Sequence, residues 1–543
     1  MKHRIKEKLL AVTAAALCAA ALMSTAGCGS SEPSYAEREQ LIEELYGAVE
    51  LETNEQTGGN ATTSNFVMAY YKDDTMNPYL CTSTLNATVT ELIYDQLITV
   101  NSEFEAEMVI AQKVEYGGAR VINVTLRDGI VFSDGTPLTG ADVVYSFEAA
   151  RREATGDKPG SRYANTLTNF QSCINTADNK VTFRLNEADP RAYMLLDFPI
   201  IKAESDADNK TPIGSGRYVY ISDVLTGTYL LRNEKWYNTN ISDVRRISLT
   251  SMPTVESIVK SVEIGTISYY YTDLRFSDKY YPNRINANYA FVDINNLVYL
   301  GVNTTEPTLG QTSVRKAISC ALDREDVIAA GFAGRAYAST GPLTTSWPVA
   351  AAAQSGSTVA LKTEAEGALV EARFVNTDIE KSVKYNDRGE YLDYELIANA
   401  ENEHHMLAAQ QIASQLSKYG ISVTVVPVEF SVLRQRIAAG DYDLYLAEYS
   451  LLNNMDFSDL FTPNKGLYYG LTPQQTIDAW NDYLGGVSGI ENVIQRFEAE
   501  LPFIPVCYRL GIACYSRSMN TKPDVTESDP FWGMESWEVA LAE

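Results

Sequence analysis

Histidine is nearly absent from this chain. There are three in 543 residues: His3, and the adjacent His404 and His405. That leaves little material for Ser-His-Asp or Cys-His catalysis. Neighbours on a helix point about 100° apart, so they do not clamp one metal as an i, i+4 pair would. The pair reads as a solvated helix face or, with Glu401 and Glu403, as a surface metal site. Cysteine is scarce too, with seven in all. Beyond Cys18 and Cys28 lie Cys81, Cys173, Cys320, Cys507 and Cys514. An odd set of five in so long a chain is no disulfide scaffold, and there is no C-x-x-C. Cys507 and Cys514 fall in an apolar, strand-like stretch, which favours buried free thiols. Basic residues are in the minority, 44 Lys and Arg against 70 Asp and Glu, for a net charge of −26. Such a surface repels nucleic acid and anionic lipid. It suits solubility, and it admits a neutral or cationic ligand more readily than a polyanion. No G-x-S-x-G, Walker loop or G-x-G-x-x-G is present. Gly214-Ser215-Gly216 runs into Arg217-Tyr218 rather than opening a helix, so it is not a phosphate cradle. Acidic pairs such as Asp441/Asp443 are too common here to signal chemistry. These absences assign no catalytic residue, no metal and no cofactor.

Long apolar runs are missing as well, except at residues 9–23. About 15 residues fall short of the roughly 20 that a membrane span needs. The run follows Lys2, Arg4, Lys6 and Lys8 and leads to Thr25-Ala26-Gly27-Cys28, the order of a secretory signal peptide. The tetrapeptide resembles a bacterial lipobox. That implies cleavage before Cys28 and diacylation of its sulfur, and two chains hold a membrane stably where one does not. An ordinary signal peptide with an incidental cysteine is the alternative. Residues 1–27 are then the signal, and residues 28–64 an anchored linker with a short helix at 35–52, where Leu41, Leu45 and Val49 share a face. Residues 54–64 are polar and Gly-rich.

With 45% hydrophobic residues, the chain supports a large core and more than one domain or lobe. Residues 66–71 read as a strand and 73–78 as a turn. Helices are expected at 88–97, 140–152, 313–330, 401–419 (ending at Gly420) and 432–439. Strands are expected at 121–126, 181–185, 421–428 (buried) and 443–449, and a loop at 350–358. This alternation argues for α/β layers with largely parallel sheets. Tyrosine is abundant, 34 residues, clustered at Tyr70-Tyr71, Tyr269-Tyr270-Tyr271, Tyr280-Tyr281 and Tyr468-Tyr469. A broad ring with a polar tip suits ligand holding at low entropy cost, although most single tyrosines serve a core.

Several segments together resemble the extracytoplasmic solute-binding proteins of ABC transporters, in the oligopeptide/dipeptide/nickel-binding family (family 5). They are Met76-Asn77-Pro78 with Glu91-Leu92-Ile93-Tyr94-Asp95-Gln96-Leu97, and then Leu126-Arg127-Asp128-Gly129, Phe132-Ser133-Asp134-Gly135-Thr136-Pro137 and Asp142-Val143-Val144-Tyr145-Ser146. Next come Pro212-Ile213-Gly214-Ser215-Gly216-Arg217-Tyr218, where Arg217 replaces the usual proline, Leu231-Arg232-Asn233 before Trp236-Tyr237, and Gly301-Val302-Asn303 with Val314-Arg315-Lys316-Ala317-Ile318 and Leu322-Asp323-Arg324. Gln411 to Leu416, Gly420-Ile421 and Gly440-Asp441-Tyr442-Asp443 complete the likeness, which spans about residues 65–515. The Asp134–Pro137 stretch is turn chemistry, with Asp and Gly for the bend and Pro fixing φ. Thr139 or Gly140 can cap the helix that follows.

The resemblance implies an α/β, two-lobed periplasmic-binding-protein-like fold with a hinge and an interlobe ligand cleft. Lobe I would be residues 65–295, rejoined by 501–543, and lobe II residues 296–500. The implied ligand-binding residues are Tyr145, Tyr270, Tyr271, Thr272, Tyr299, Glu448, Tyr449, Ser450, Asn453 and Asp456. In peptide-binding members an aspartate three residues after a tryptophan pairs with the ligand's α-amino group. Here Tyr449 and Leu452 stand in those places. A buried ammonium needs a carboxylate, so Glu448 or Asp456 must substitute, or the ligand is a modified or cyclic peptide, a sugar or a metal chelate. The implied function is a monomeric receptor that delivers a solute, peptide first, to an ABC permease and ATPase complex. Its membrane contact is through the N-terminal lipid on the extracytoplasmic face. A peptide-signal sensor without import and an extracellular hydrolase are the rival readings.

Overall fold

The computed structural model describes residues 65–155, 160–207, 210–240, 242–252, 254–273, 287–354, 356–461 and 472–540. The expected signal segment, Cys28, the expected 35–52 helix, Tyr280-Tyr281 and Tyr468-Tyr469 lie outside them.

Among the described residues one sheet of eleven strands organises the fold. Its strands are β1 (Phe66–Tyr70), β2 (Tyr218–Asp223), β3 (Gly227–Arg232), β4 (Arg246–Ser251), β5 (Tyr269–Thr272), β6 (Asn288–Val302), β7 (Ala336–Ala338), β8 (Asp393–Asn399), β9 (Ser422–Val428), β10 (Leu444–Ser450) and β11 (Phe503–Tyr515). The order is β9-β8-β10-β6-β11-β5-β1-β4-β3-β2, with β7 also paired to β11.

β6 and β11 run antiparallel from Asn288↔Tyr515 to Gly301↔Phe503, with register shifts between Asp293 and Leu297 and between Val298 and Tyr299. Before the first shift, β11 also carries β5, and with it the strands of the first lobe. After it, β6 carries β10 over Asn296↔Ser450 to Val302↔Leu444, and β10 leads to β8 and β9. The two long strands thus serve both lobes of the fold. An irregularity in a ladder bends and twists the strand, and here it falls where the pairing passes from one lobe to the other.

Every residue of β11 is buried, so the crossing is a packed core. Gly301 is needed there: a Cβ at this position would come within 1.9 Å of the Tyr445 ring. The first lobe adds a four-stranded antiparallel sheet, Ala111–Gly118, Val121–Leu126, Lys180–Leu185 and Phe170–Ala177. The helix Gly140–Ala150 lies on it. Thr139 and Asp142 form its capping box, and Phe147 packs on Phe170, Phe183 and Phe198. Burying one such ring is worth about 1.5–3 kcal/mol. After β11, Phe531 and Trp537 pack on Tyr269 of β5.

Pairing direction departs from the expected parallel arrangement. Among the described residues, parallel pairs are confined to β1 with β4 and β5 and to β8 with β9 and β10. The crossing strands and hairpins are antiparallel, a property that hydrophobic periodicity does not encode. The helix expected at 88–97 lies at Thr84–Thr90 instead, because the carbonyls of Leu92 and Ile93 accept from Tyr218 and Gly216. The 313–330 helix is two, Thr312–Ala321 and Arg324–Phe332. Residues 348–353 are helical, starting on Pro348, where a loop was expected. β9 is an edge strand and only half-buried. Gly214 and Gly216 press against the Ile93 carbonyl, which makes that turn structural.

Candidate functional site

Residues from both lobes meet at one seam. Asn453, in the loop after β10, donates from Nδ2 to Asp197 Oδ2 of the first lobe at 2.8 Å. Its neighbour Asn454 donates to Asp189 Oδ2 at 2.9 Å. Arg191 donates to the Asn453 carbonyl at 3.4 Å and lies over the Trp347 ring, 4.4 Å from its centroid. The hinge joins in: Asn295 N donates to Glu527 Oε2 at 2.9 Å, and Asn295 Nδ2 donates to the Leu452 carbonyl at 3.2 Å.

Beside this seam stands Arg162, which the sequence reading did not single out. It is solvent-exposed, no carboxylate pairs with it among the described residues, and its guanidinium lies over its neighbour Tyr163, 5.1 Å from the ring centroid. Its charge acts on Glu91, Asp197 and Cys81, and Tyr163, Glu91 and Cys81 in turn raise its own pKa. Burial pushes Asp197 up to about 6, although Asn453, Ser528 and Arg162 pull the other way. One exposed guanidinium and one carboxylate held by the second lobe can together take a ligand carrying both charges.

The residues expected from sequence divide into groups. Asn453 is at the seam. Glu448, on β10, accepts from Asn296 Nδ2 at 2.7 Å, His405 Nε2 at 2.7 Å and Arg509 Nη1 at 2.6 Å. Burial alone would raise its pKa, but Arg509 and His405 hold it well below the carboxylate range. Both oxygens are occupied, so Glu448 locks the hinge strands to the helix Glu403–Ser417. Ser450 joins this group through Asn296 Oδ1 at 3.0 Å. Asp456 is half-buried and accepts from Ser458 N, and burial raises it and the nearby Tyr449 phenol.

The other tyrosines are elsewhere. Tyr145 donates to Asp206 within the first lobe. Tyr270 packs in a core with Ala69, Ile258 and Val262, and Tyr299 is buried against Tyr445 and Phe503. Tyr271 and Thr272 are half-buried on β5. Large rings at strand ends served the core, so tyrosine clustering alone did not mark the seam. Nor is the His404-His405 face a solvated one. His405 is buried on Glu448, His404 bonds the Gly331 carbonyl, and no metal-binding cluster occurs among the described residues. Cys81, Cys173, Cys507 and Cys514 are buried free thiols, and Cys320 is a half-buried one.

A family model described as bacterial extracellular solute-binding proteins, family 5 Middle, matches residues 107–466. The oligopeptide-binding protein AppA of Bacillus subtilis is 24% identical over 420 residues, 72% of this chain and 75% of its own. The structure of AppA with a nonapeptide superposes with a TM-score of 0.56 at 19% identity, covering 88% of this chain and all of that one. NikA from Brucella suis, in complex with Fe(III)-EDTA, gives 0.66 at 18% identity, covering 87% of this chain and 99% of that one.

Proposed function

Because the chain belongs to the bacterial extracellular solute-binding proteins of family 5, we propose that it is a lipid-anchored receptor that encloses a peptide and delivers it to an ABC permease and ATPase complex. Residues 65–295 with 501–543 form the first lobe in this reading, and 296–500 the second. Residues 28–64 tether them from diacylated Cys28 on the extracytoplasmic face. The receptor works as a monomer and binds without covalent chemistry.

The observation that carries the reading is that Arg162 acts through space on Asp197, the carboxylate that Asn453 holds across the seam. Arg162 offers two donors to a ligand carboxylate, and such charge-assisted forks are strong. Asp197 offers an acceptor to an ammonium group. Leu452 brings no carboxylate, and Glu448 is already occupied. Amino recognition therefore passes from the loop after β10 to the first lobe. The solute bridges the lobes beside the Asn453–Asp197 bond, so its affinity for the closed arrangement sets the closure equilibrium. AppA, which binds a nonapeptide, is the relative that supports a peptide. Arg162, which has no carboxylate ion-pair partner among the described residues, also suits a carboxylate-rich metal chelate, and NikA holds one. That is the second reading.

Native mass spectrometry of the purified full chain, with any co-purifying solute released and identified, separates the two. A peptide series is expected. A single metal chelate would replace the peptide by the second reading. An empty protein that ignores both a peptide library and chelates would contradict the receptor role.

A further inference from the structure

A cavity of about 310 Å³ opens in the first lobe, lined by Glu91, Asp95, Trp236, Tyr237 and Trp532 among others. Small-molecule pockets run from about 300 to 1,000 Å³. Its lining is acidic and aromatic. The one arginine in it is committed: Arg217 reaches Asp529 Oδ2 at 2.6 Å and Glu535 Oε1 at 3.1 Å, and lies over the Trp236 ring. Arg217 thus offsets Asp529 and Glu535 and leaves Glu91 and Asp95.

Those two carboxylates are 9% and 5% exposed. Glu91 Oε2 accepts from Gln96 Nε2 at 2.5 Å, and Asp95 Oδ2 from Trp236 Nε1 at 3.1 Å. The second oxygen of each has no hydrogen-bond donor among the described residues, although both side chains line the cavity. Neither oxygen is among the buried unpartnered atoms, so each is reached from the cavity. Burial pushes Glu91 up to about 8, against the charges of Arg162 and Arg217 and with those of Asp529 and Asp197. It pushes Asp95 up to about 6, with Arg217 and Trp236 opposing and Asp529 and Glu535 adding.

We propose that this cavity binds a small protonated amine, its ammonium hydrogens donated to the open oxygens of Glu91 and Asp95 and its carbon chain laid against Trp236, Tyr237 and Trp532. Aromatic faces attract an ammonium, and the open carboxylate oxygens can accept from N–H donors. A primary amine meets both needs. A quaternary ammonium meets only the first. The cavity lining includes neither Arg162 nor Asn453, although Arg162 and Asp197 act on Glu91 through space, and the inference does not depend on what the seam binds.

Isothermal titration of 1,4-diaminobutane into the full chain at pH 7, in two buffers of different protonation enthalpy, tests it. Saturable binding with net proton release is expected, because the incoming cation favours ionised Glu91. Glu91→Gln should remove the proton release and weaken binding at least tenfold. Asp95→Asn and the more exposed Trp532→Ala should each weaken it at least fivefold. Tetramethylammonium should bind at least tenfold more weakly than the diamine. Circular dichroism confirms that each variant is folded. No saturable binding by the folded wild type would overturn the proposal. So would diamine binding that survives all three substitutions, which would place the amine at the seam, and so would equal binding of tetramethylammonium.

Discussion

Glu448 shows how neighbours decide what a residue does. In sequence it is one acid among 70 Asp and Glu, and an available one. In the fold both its oxygens are taken by Asn296, His405 and Arg509, the last only 1% exposed. Removing one partner of a buried charge pair costs about 3–5 kcal/mol. Glu448→Gln should therefore destabilise the protein by about 3 kcal/mol in urea unfolding at pH 7, while leaving the seam's residues in place. The folded carboxyl is held below its ordinary pKa, so its contribution is present above about pH 4.5 and fades as pH falls below that. The gap between wild type and variant should narrow in the same range. A cost under about 1 kcal/mol at pH 7 would mean that the network is not a lock. Arg217 makes a related point. It stands where the resembled family has proline, and its partners Asp529 and Glu535 are 312 and 318 residues away, a pairing no local pattern announces.

At the scale of elements, capping and backbone partners set the boundaries. The expected helix over 313–330 breaks after Ala321, and Asp323 starts the next helix by accepting from Asp326 N at 3.1 Å. Arg324, just beyond, is buried and donates to the Pro505 carbonyl, so the break feeds a side chain to β11. Asp323→Ala should cost about 1 kcal/mol, read as a lower urea midpoint at unchanged m-value. No measurable loss would show that packing alone holds the break. Much of this level was legible in the chain. The alternation of residues 121–126, the Thr139–Asp142 start of a helix and the Gly420 stop were local signals, and the structure repeats them. Strand direction, the 88–97 helix and the burial of the His404-His405 face were not, because long-range hydrogen bonds and pairings decided each. The seam was only partly legible. Asn453 was within reach of the motif reading, whereas Arg162 is marked only by what surrounds it in space.

For the whole molecule, two strands shared by two lobes form a crossing with bonds between lobes on one side of it. The Asn453–Asp197 and Asn454–Asp189 contacts are few and polar, so a solute that adds charge-assisted bonds there can tilt the balance between open and closed arrangements. Such bonds are worth about 1.5–3 kcal/mol each, a factor of ten to a hundred in affinity. The most direct measurement is calorimetric titration of the released solute into wild type and Arg162→Met. The account expects saturable binding by wild type and at least tenfold weaker binding by the variant, with an unchanged unfolding midpoint. Equal affinity in the two proteins would contradict enclosure of the solute at this seam.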